Sequence, residues 1–203
     1  MGIIYCMMGK SSSGKDSVYR ELMQDGSLPL RRIVPYTTRP MREGETPGLE
    51  YIFCDEARVQ QLEEERRIIE LRAYQTVHGI WKYFTVDDGQ IEPEKYSYLY
   101  IVTLEGYKKI REYFGENRVA PIYIEVEDGE RLLRAVRREM QQSAPRYEEM
   151  CRRFLADSGD FSGEKLAEAG IERRFVNREL AGTVSQVRAY IRELAGTQDG
   201  DKI

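Results

Sequence analysis

Residues 9–17 read Gly-Lys-Ser-Ser-Ser-Gly-Lys-Asp-Ser, directly after the apolar run Ile3-Ile4-Tyr5-Cys6-Met7-Met8 and directly before Val18-Tyr19-Arg20-Glu21-Leu22-Met23. A short strand, a glycine- and serine-rich turn and a helix with Val18 and Leu22 on one face make a phosphate-binding loop, G-x-x-x-x-G-K. Gly9 and Gly14 let the backbone approach a phosphate closely. The loop's N–H groups and the positive end of the helix dipole then converge on the anion. Lys15 is placed to reach β and γ oxygens and to follow charge as a phosphoryl group moves. Asp16 stands where the usual signature has a Ser or Thr hydroxyl for Mg²⁺. Two routes to the metal stay open, Asp16 through water and Ser17 through its hydroxyl, so both are candidate metal ligands.

The rest of the chain fits such a loop. Short, fully apolar strands alternating with helices predict a parallel α/β core. Strands are expected at 3–8, 32–37, 50–54, 68–74, 80–86, 97–103, 121–126 and 173–177. Helices are expected at 14–24, 55–66, 104–114, 128–142, 145–157, 163–169 and 180–194. In the fourth helix Leu132, Val136 and Met140 recur every four residues, with Arg131, Arg134, Arg137 and Arg138 on other faces. The segment 36–95 has several short strands and few helices, so it reads as a small mixed α/β lobe inserted into a core of 1–35 and 96–203. The tail from Gly196 to Ile203 is expected to fray.

Composition narrows the class. With 203 residues, one core with small lobes is affordable, and a net charge of −4 excludes a nucleic-acid partner held by the overall field. Cys6, Cys54 and Cys151 form no C-x-x-C pair and each has apolar neighbours, which predicts buried, reduced thiols. His78 is the only histidine, which leaves no pair for zinc. There is no signal peptide and no apolar run of about 18 residues, so the expectation is a cytoplasmic protein without a membrane partner. The sequence leaves the oligomeric state open.

Residues 36–53 carry a second pattern, Tyr-Thr-Thr-Arg-Pro-Met-Arg-Glu-Gly-Glu-Thr-Pro-Gly-Leu-Glu-Tyr-Ile-Phe. Arg39 and Arg42, on an irregular turn, suit a bidentate grip on a monophosphate, and Tyr51 adds a hydroxyl. The alternative is a solvated Arg/Glu turn. Arg39, Arg42, Gly44, Glu45, Gly48, Glu50, Tyr51 and Phe53 all fall in register with T-T-R-x-x-R-x-G-E-x-x-G-x-[DE]-Y-x-F. This segment closely resembles the nucleotide-monophosphate lobe of guanylate kinases, and the likeness runs more weakly to about residue 194.

The resemblance implies a P-loop NTPase fold: a three-layer core with a parallel sheet, an inserted monophosphate lobe and a helical lid at about 134–153. It implies ATP and GMP as nucleotide substrates and Mg²⁺ as cofactor. Gly9, Lys10, Ser11, Ser12, Ser13, Gly14, Lys15, Asp16 and Ser17 would then hold ATP. Arg39, Arg42 and Tyr51 would hold the GMP phosphate, with Glu45 fixing the arginines. Glu70 matches the family's base-reading glutamate, whose carboxylate accepts from N1–H and the 2-amino group of guanine; an exposed strand glutamate is the plainer alternative. Lys15, Arg39 and two lid arginines would be catalytic; Arg153 matches the second of these, and Arg137 or Arg138 the first, with Arg138 preferred. Asn177 resembles a residue passing near the adenine of ATP, or it caps the helix that follows.

Three departures stand against a plain match. No hydroxyl occupies Ile80, where the family has Tyr-Gly-Ser/Thr, which leaves Thr76, Tyr83 or Thr85 as substitutes. Trp81 and Tyr83 are expected in the core of the small lobe rather than against a base. The family's two strand aspartates are replaced by Ile101 and Thr103, and Thr103 remains a candidate GMP contact. Three functions follow: phosphorylation of GMP by ATP, phosphorylation of another monophosphate or small phosphorylated acceptor, or a non-catalytic guanylate-kinase-like binding domain.

Overall fold

A computed structural model of the chain describes residues 2–76 and 79–200. Strand β1 (Ile4–Met8) is apolar and buried at every position. It lies at the centre of a five-stranded sheet with β7 (Ser97–Ile101) on one side and β8 (Val119–Glu125) on the other. β2 (Leu30–Arg32) and β9 (Arg174–Val176) close the two edges, and every pairing is parallel. Side chains alternate along β1, so both faces need cover. Ile4, Cys6 and Met8 pack with Tyr100, Leu104, Tyr107 and Leu166, beneath α3 (Leu104–Phe114) and α6 (Gly163–Glu168). Tyr5 and Met7 pack with Val18, Leu22, Val187 and Ile191, beneath α1 (Lys15–Gln24) and α7 (Leu180–Gly200). The result is three layers with β1 in the middle. Its neighbours β7 and β8 lie on opposite sides, so a crevice opens at its carboxyl end, where residues 9–14 sit.

A second sheet holds β3 (Tyr36–Thr37), β4 (Ile52–Phe53), β5 (Ile68–Thr76) and β6 (Gly79–Val86) in the order β4-β3-β6-β5. Tyr36, Phe84 and Val86 on one face pack against Val59 and Leu62 of α2 (Glu56–Glu64). The register sets the other face. Phe53, Thr37, Tyr83 and Arg72 form one row across the four strands, and Glu70 stands opposite Thr85.

The strand expected at 32–37 is in fact two, one in each sheet. The break falls at Ile33-Val34-Pro35, where proline has no N–H to donate to a ladder. Gln90 bridges this crossing by accepting from Val34 N–H at 2.7 Å and donating to Val34 O at 3.2 Å. α4 (Asp128–Met140) and α5 (Tyr147–Asp160) follow β8. Contrary to the four-residue pattern, α4 buries Arg131 and Ala135 and leaves Leu132 and Met140 exposed. α7 continues to Gly200 rather than fraying from Gly196, since each residue added to a formed helix brings its own hydrogen bond. Residues 201–203, also expected to fray, lie outside the described residues, as do Val77 and His78. Cys6 is buried as expected, Cys54 is half-buried, and Cys151 is exposed on α5, against expectation. Among the described residues no helix is long and apolar enough to cross a membrane.

Candidate active site

The loop between β1 and α1 is built around its glycines. Gly14, the N-cap of α1, has φ 83°, and a Cβ there would lie 2.4 Å from Asn177 Nδ2. A Cβ at Gly9 would lie 2.6 Å from the Ile124 carbonyl oxygen and 2.8 Å from Ser13 Oγ. A side chain at Gly9 would meet the backbone of β8 and one at Gly14 the amide of Asn177, so the loop runs close against β8 and the residue after β9. Asn177, just past β9, donates to Ser13 O at 2.8 Å and accepts from Thr183 Oγ1 at 3.1 Å. Its amide braces the loop from below, a role outside both sequence alternatives. Ser12 Oγ and Ser13 Oγ are buried without a hydrogen-bond partner. Orphaned hydroxyls on a glycine-shaped cradle fit a phosphate-bearing ligand and its waters. Among the described residues Lys15 is anchored only by Asp16, 3.7 Å away and mostly exposed; Ser17 is half-buried two residues on.

Two residues that sequence reasoning left on solvated faces, or did not consider, reach this loop. Arg131 is 1% exposed, with its guanidinium 3.8 Å over the Phe154 ring. It donates to Asp128 Oδ1 at 3.1 Å and to Asp157 Oδ2 at 3.3 Å. Asp157 Oδ2 also accepts from the Ser11 N–H at 2.7 Å, so a carboxylate of α5 is tied directly to the phosphate loop. Lys10 bonds Asp128 at 3.3 Å, and Arg134 donates to Asn177 O at 3.1 Å. Charge periodicity cannot tell these arginines from their exposed neighbours; only the position of Asp157 a helix away does. Asp157→Ala takes from buried Arg131 one of its two carboxylate partners and from the Ser11 N–H its acceptor, so it is expected to cost about 3 kcal/mol of stability. Urea unfolding measures it, and an unchanged midpoint would refute the role. Arg138 is exposed, and Arg153 is exposed and pairs with Glu149 at 2.9 Å. Among the described residues no hydrogen bond or ion pair joins either of them to the loop.

The second cluster lies on the free face of the small sheet. Arg39, 4% exposed, forms a two-pronged pair with Glu45, whose Oε2 also accepts from the Arg42 N–H at 2.8 Å. The hydrogen bonds from Arg39 are the first cause of a Glu45 carboxyl pulled down to about 2. The Arg39 guanidinium stands 4.9 Å from the Tyr51 ring and 5.6 Å from that of Phe53. Tyr51 meets Tyr83 edge-on, and Tyr83 meets Tyr74, each at 5.7 Å. Tyr83 and Trp81 are therefore half-buried on this open face rather than in the lobe's core. Arg42 is exposed.

Glu70 is buried and already engaged. Arg72 donates from Nε to Oε2 at 2.9 Å and from Nη2 to Oε1 at 3.2 Å, and Thr85 donates to Oε1 at 2.8 Å. Thr85 in turn meets the Tyr100 hydroxyl at 2.8 Å, which links this face to β7 of the large sheet. Of the three hydroxyls weighed as substitutes, Thr85 is the one beside Glu70. Thr103 uses its hydroxyl to cap α3, accepting from Gly106 N–H at 3.1 Å. A Cβ at Gly106 would lie 3.4 Å from Thr103 Oγ1 and 3.5 Å from Glu70 Oε2, so all three share one wall. A cavity of about 240 Å³ opens here, lined by Glu70, Arg72, Glu105, Gly106 and Lys109 among others.

The family model of guanylate kinase matches residues 2–156, from the first strand through most of the two helices after β8. This chain belongs to the guanylate kinase family. A crystal structure of guanylate kinase from Anaplasma phagocytophilum shares its fold, with a TM-score of 0.64 and 22% identity over 95% of this chain and 85% of that one. The P-loop NTPase architecture, with its parallel sheet and mixed α/β elements, is thereby established. Family and fold support nucleoside monophosphate kinase activity in general. Against that background Asp16, Ile80, Ile101 and Thr103 are positions where this guanylate kinase family member departs from the pattern given above.

Proposed function

We propose that this chain transfers the γ-phosphoryl group of ATP to the phosphate of GMP, giving ADP and GDP. The observation that carries the reading is the buried Arg39–Glu45 clamp on the same sheet face as Glu70, in a chain whose phosphate loop retains Gly9, Gly14 and Lys15. In-line transfer asks the protein mainly to position two anions and neutralise them. Residues 9–17 cradle the donor phosphates, and Lys15 follows the charge on the group in flight. Arg39, Arg42 and Tyr51 hold the acceptor phosphate, with Glu45 keeping Arg39 in place. Arg138 and Arg153 would complete the charge stabilisation by moving in with the lid, roughly 134–153, as it closes against water. Residues 36–95 act as the acceptor lobe and the remainder as the donor core. The cytoplasm is the compartment that supplies both nucleotides.

Asp16 and Ser17 would hold Mg²⁺, which would supply positive charge to offset that of the donor phosphates. Magnesium at nucleotide sites takes only one or two protein ligands, so the lack of a larger acidic cluster among the described residues is no obstacle. If Asp16 holds the metal through water, Asp16→Ala should raise the Mg²⁺ concentration for half-maximal rate by about tenfold, and Asp16→Ser should restore much of it. Equal Mg²⁺ dependence in all three proteins would remove the assignment.

A second reading, an acceptor other than GMP, is favoured by the Arg72 fork on Glu70. The test is ADP release over a panel of nucleoside monophosphates and small phosphorylated acceptors, with Lys15→Ala and Glu70→Ala as controls. Turnover with GMP and not AMP, UMP or CMP supports the first reading. Turnover only with another acceptor supports the second, and none at all overturns both.

A further inference from the structure

We propose that Arg72, rather than Glu70, reads the base, and that the pocket selects 6-oxopurine monophosphates as a class instead of guanine alone. The inference rests on the reading of this pocket as the purine end of a monophosphate acceptor site.

The argument is one of hydrogen-bond accounting. A carboxylate offers about four lone-pair positions, two on each oxygen. Glu70 has spent three: one on Arg72 Nε, one on Arg72 Nη2 and one on Thr85 Oγ1. Guanine's N1–H and 2-amino group need two acceptors side by side, and the Arg72 fork already spans both oxygens. For Glu70 to take guanine in that way, the fork must leave. That would strip a counter-ion from a carboxylate whose side chain is only 1% exposed. Stranding one member of a buried pair is the costly alternative.

Arg72 has donors to spare. A guanidinium carries five N–H groups, and two go to Glu70. Among the described residues the other three meet no acceptor. The side chain is 14% exposed and lines the cavity of about 240 Å³. It is also well placed along the sheet. Arg72 pairs with Tyr83, Tyr83 with Thr37, and Arg39 follows two residues after Thr37 on the same face. A nucleotide whose phosphate lies at Arg39 therefore extends its base towards Arg72.

What three free N–H groups recognise is an edge of acceptors. O6 and N7 of a 6-oxopurine are adjacent acceptors that match an arginine fork, whereas adenine sets its amino donor beside N7. The 2-amino group finds no reader, because Glu70 is committed to Arg72. GMP and IMP should then be used alike, and a purine without O6 should not.

The experiment measures kcat/KM for GMP, IMP and 2-aminopurine riboside 5′-monophosphate with the wild-type chain and with Arg72→Lys. The lysine keeps a cation opposite Glu70 but loses the fork, so the protein should fold; thermal melting confirms it. For the wild type, IMP is expected within about tenfold of GMP, and the analogue without O6 about 10²-fold or more below, since a site built to bond a group rejects ligands lacking it. Arg72→Lys should shrink the gap due to O6 by about tenfold or more, whereas a merely structural role would lower all three substrates together. A wild type that prefers GMP to IMP by about 10²-fold hands the reading back to Glu70, and one that uses the analogue, which lacks both N1–H and O6, as readily as GMP shows that neither Arg72 nor Glu70 reads the base; either result overturns the proposal. Failure to use either GMP or IMP, with another acceptor phosphorylated, overturns the purine reading of the pocket itself, separately from any effect of Arg72.

Discussion

Lys15→Ala should lower kcat by about 10³-fold or more with the folded state left essentially intact. The two halves of that expectation have separate physical causes. Stability is spared because among the described residues Lys15 pairs only with Asp16, a mostly exposed carboxylate 3.7 Å away, and such a pair is worth little. Turnover is not spared, because the lysine stands in the first turn of α1, beside the orphaned Ser12 and Ser13 hydroxyls. It acts on charge that grows as the γ-phosphoryl group leaves, so its loss appears in kcat more than in the binding of ATP. Steady-state kinetics beside a thermal melt separates the two. Activity within tenfold of wild type would mean that the loop is a structural turn and that no phosphoryl transfer passes through it.

Arg39→Ala should lower kcat/KM for the acceptor by about 10³-fold while leaving the KM for ATP nearly unchanged. Arg39 is buried and held by two prongs on Glu45, so its remaining donors arrive in a fixed orientation for a phosphate. Its removal also leaves Glu45 without its counter-ion beside the proposed acceptor-phosphate position, and repulsion then adds to lost attraction. Arg39→Lys should not restore function, since a single ammonium cannot hold both Glu45 oxygens and a phosphate at once. A lysine variant with wild-type acceptor KM would show that the clamp is not the phosphate site.

The same clamp carries a pH signature. Glu45, held down chiefly by its hydrogen bonds from Arg39, falls from an ordinary 4.5 to about 2. A depressed carboxylate contributes stability above its ordinary value and loses it as pH falls through the lowered one. The clamp's contribution to stability should therefore hold steady on acidification from neutral and be lost only between about 4.5 and about 2. Arg39→Lys should bring that loss nearer to 4.5. Chemical denaturation against pH follows it in both proteins.

Much of this molecule was legible in its sequence because the features concerned are local. The run of residues 3–8, the glycines at 9 and 14 and the apolar spacing of Val18 and Leu22 specify β1, its loop and α1 within a few neighbours along the chain. Arg39 and Glu45 are six residues apart on one turn, so their pairing too is written locally. The features that escaped are all non-local. Arg131 looks like any arginine on a charged helix until Asp157 arrives from α5, 26 residues away, and brings it against the loop. The exposure of Leu132 and Met140 follows, since α4 turns its Arg131 side towards α5 and the phosphate loop. The strand expected at 32–37 was split because only the assembled molecule has two sheets for the chain to cross between.

Glu70 and Arg72 combine both lessons. Alternation along β5 alone places the two residues on one face, which is information of the sequence. That Glu70 is buried, and that Thr85 from β6 and Tyr100 from β7 complete its hydrogen bonds, depends on a hairpin and on a second sheet closing over it. By itself, then, the sequence determined the first strand, loop and helix, the family and the local setting in which Arg39 pairs with Glu45. The tertiary structure alone decided which charges are neutralised before any ligand arrives, because burial and partners 15 or more residues away, rather than residue type, fix what a charged group has left to give.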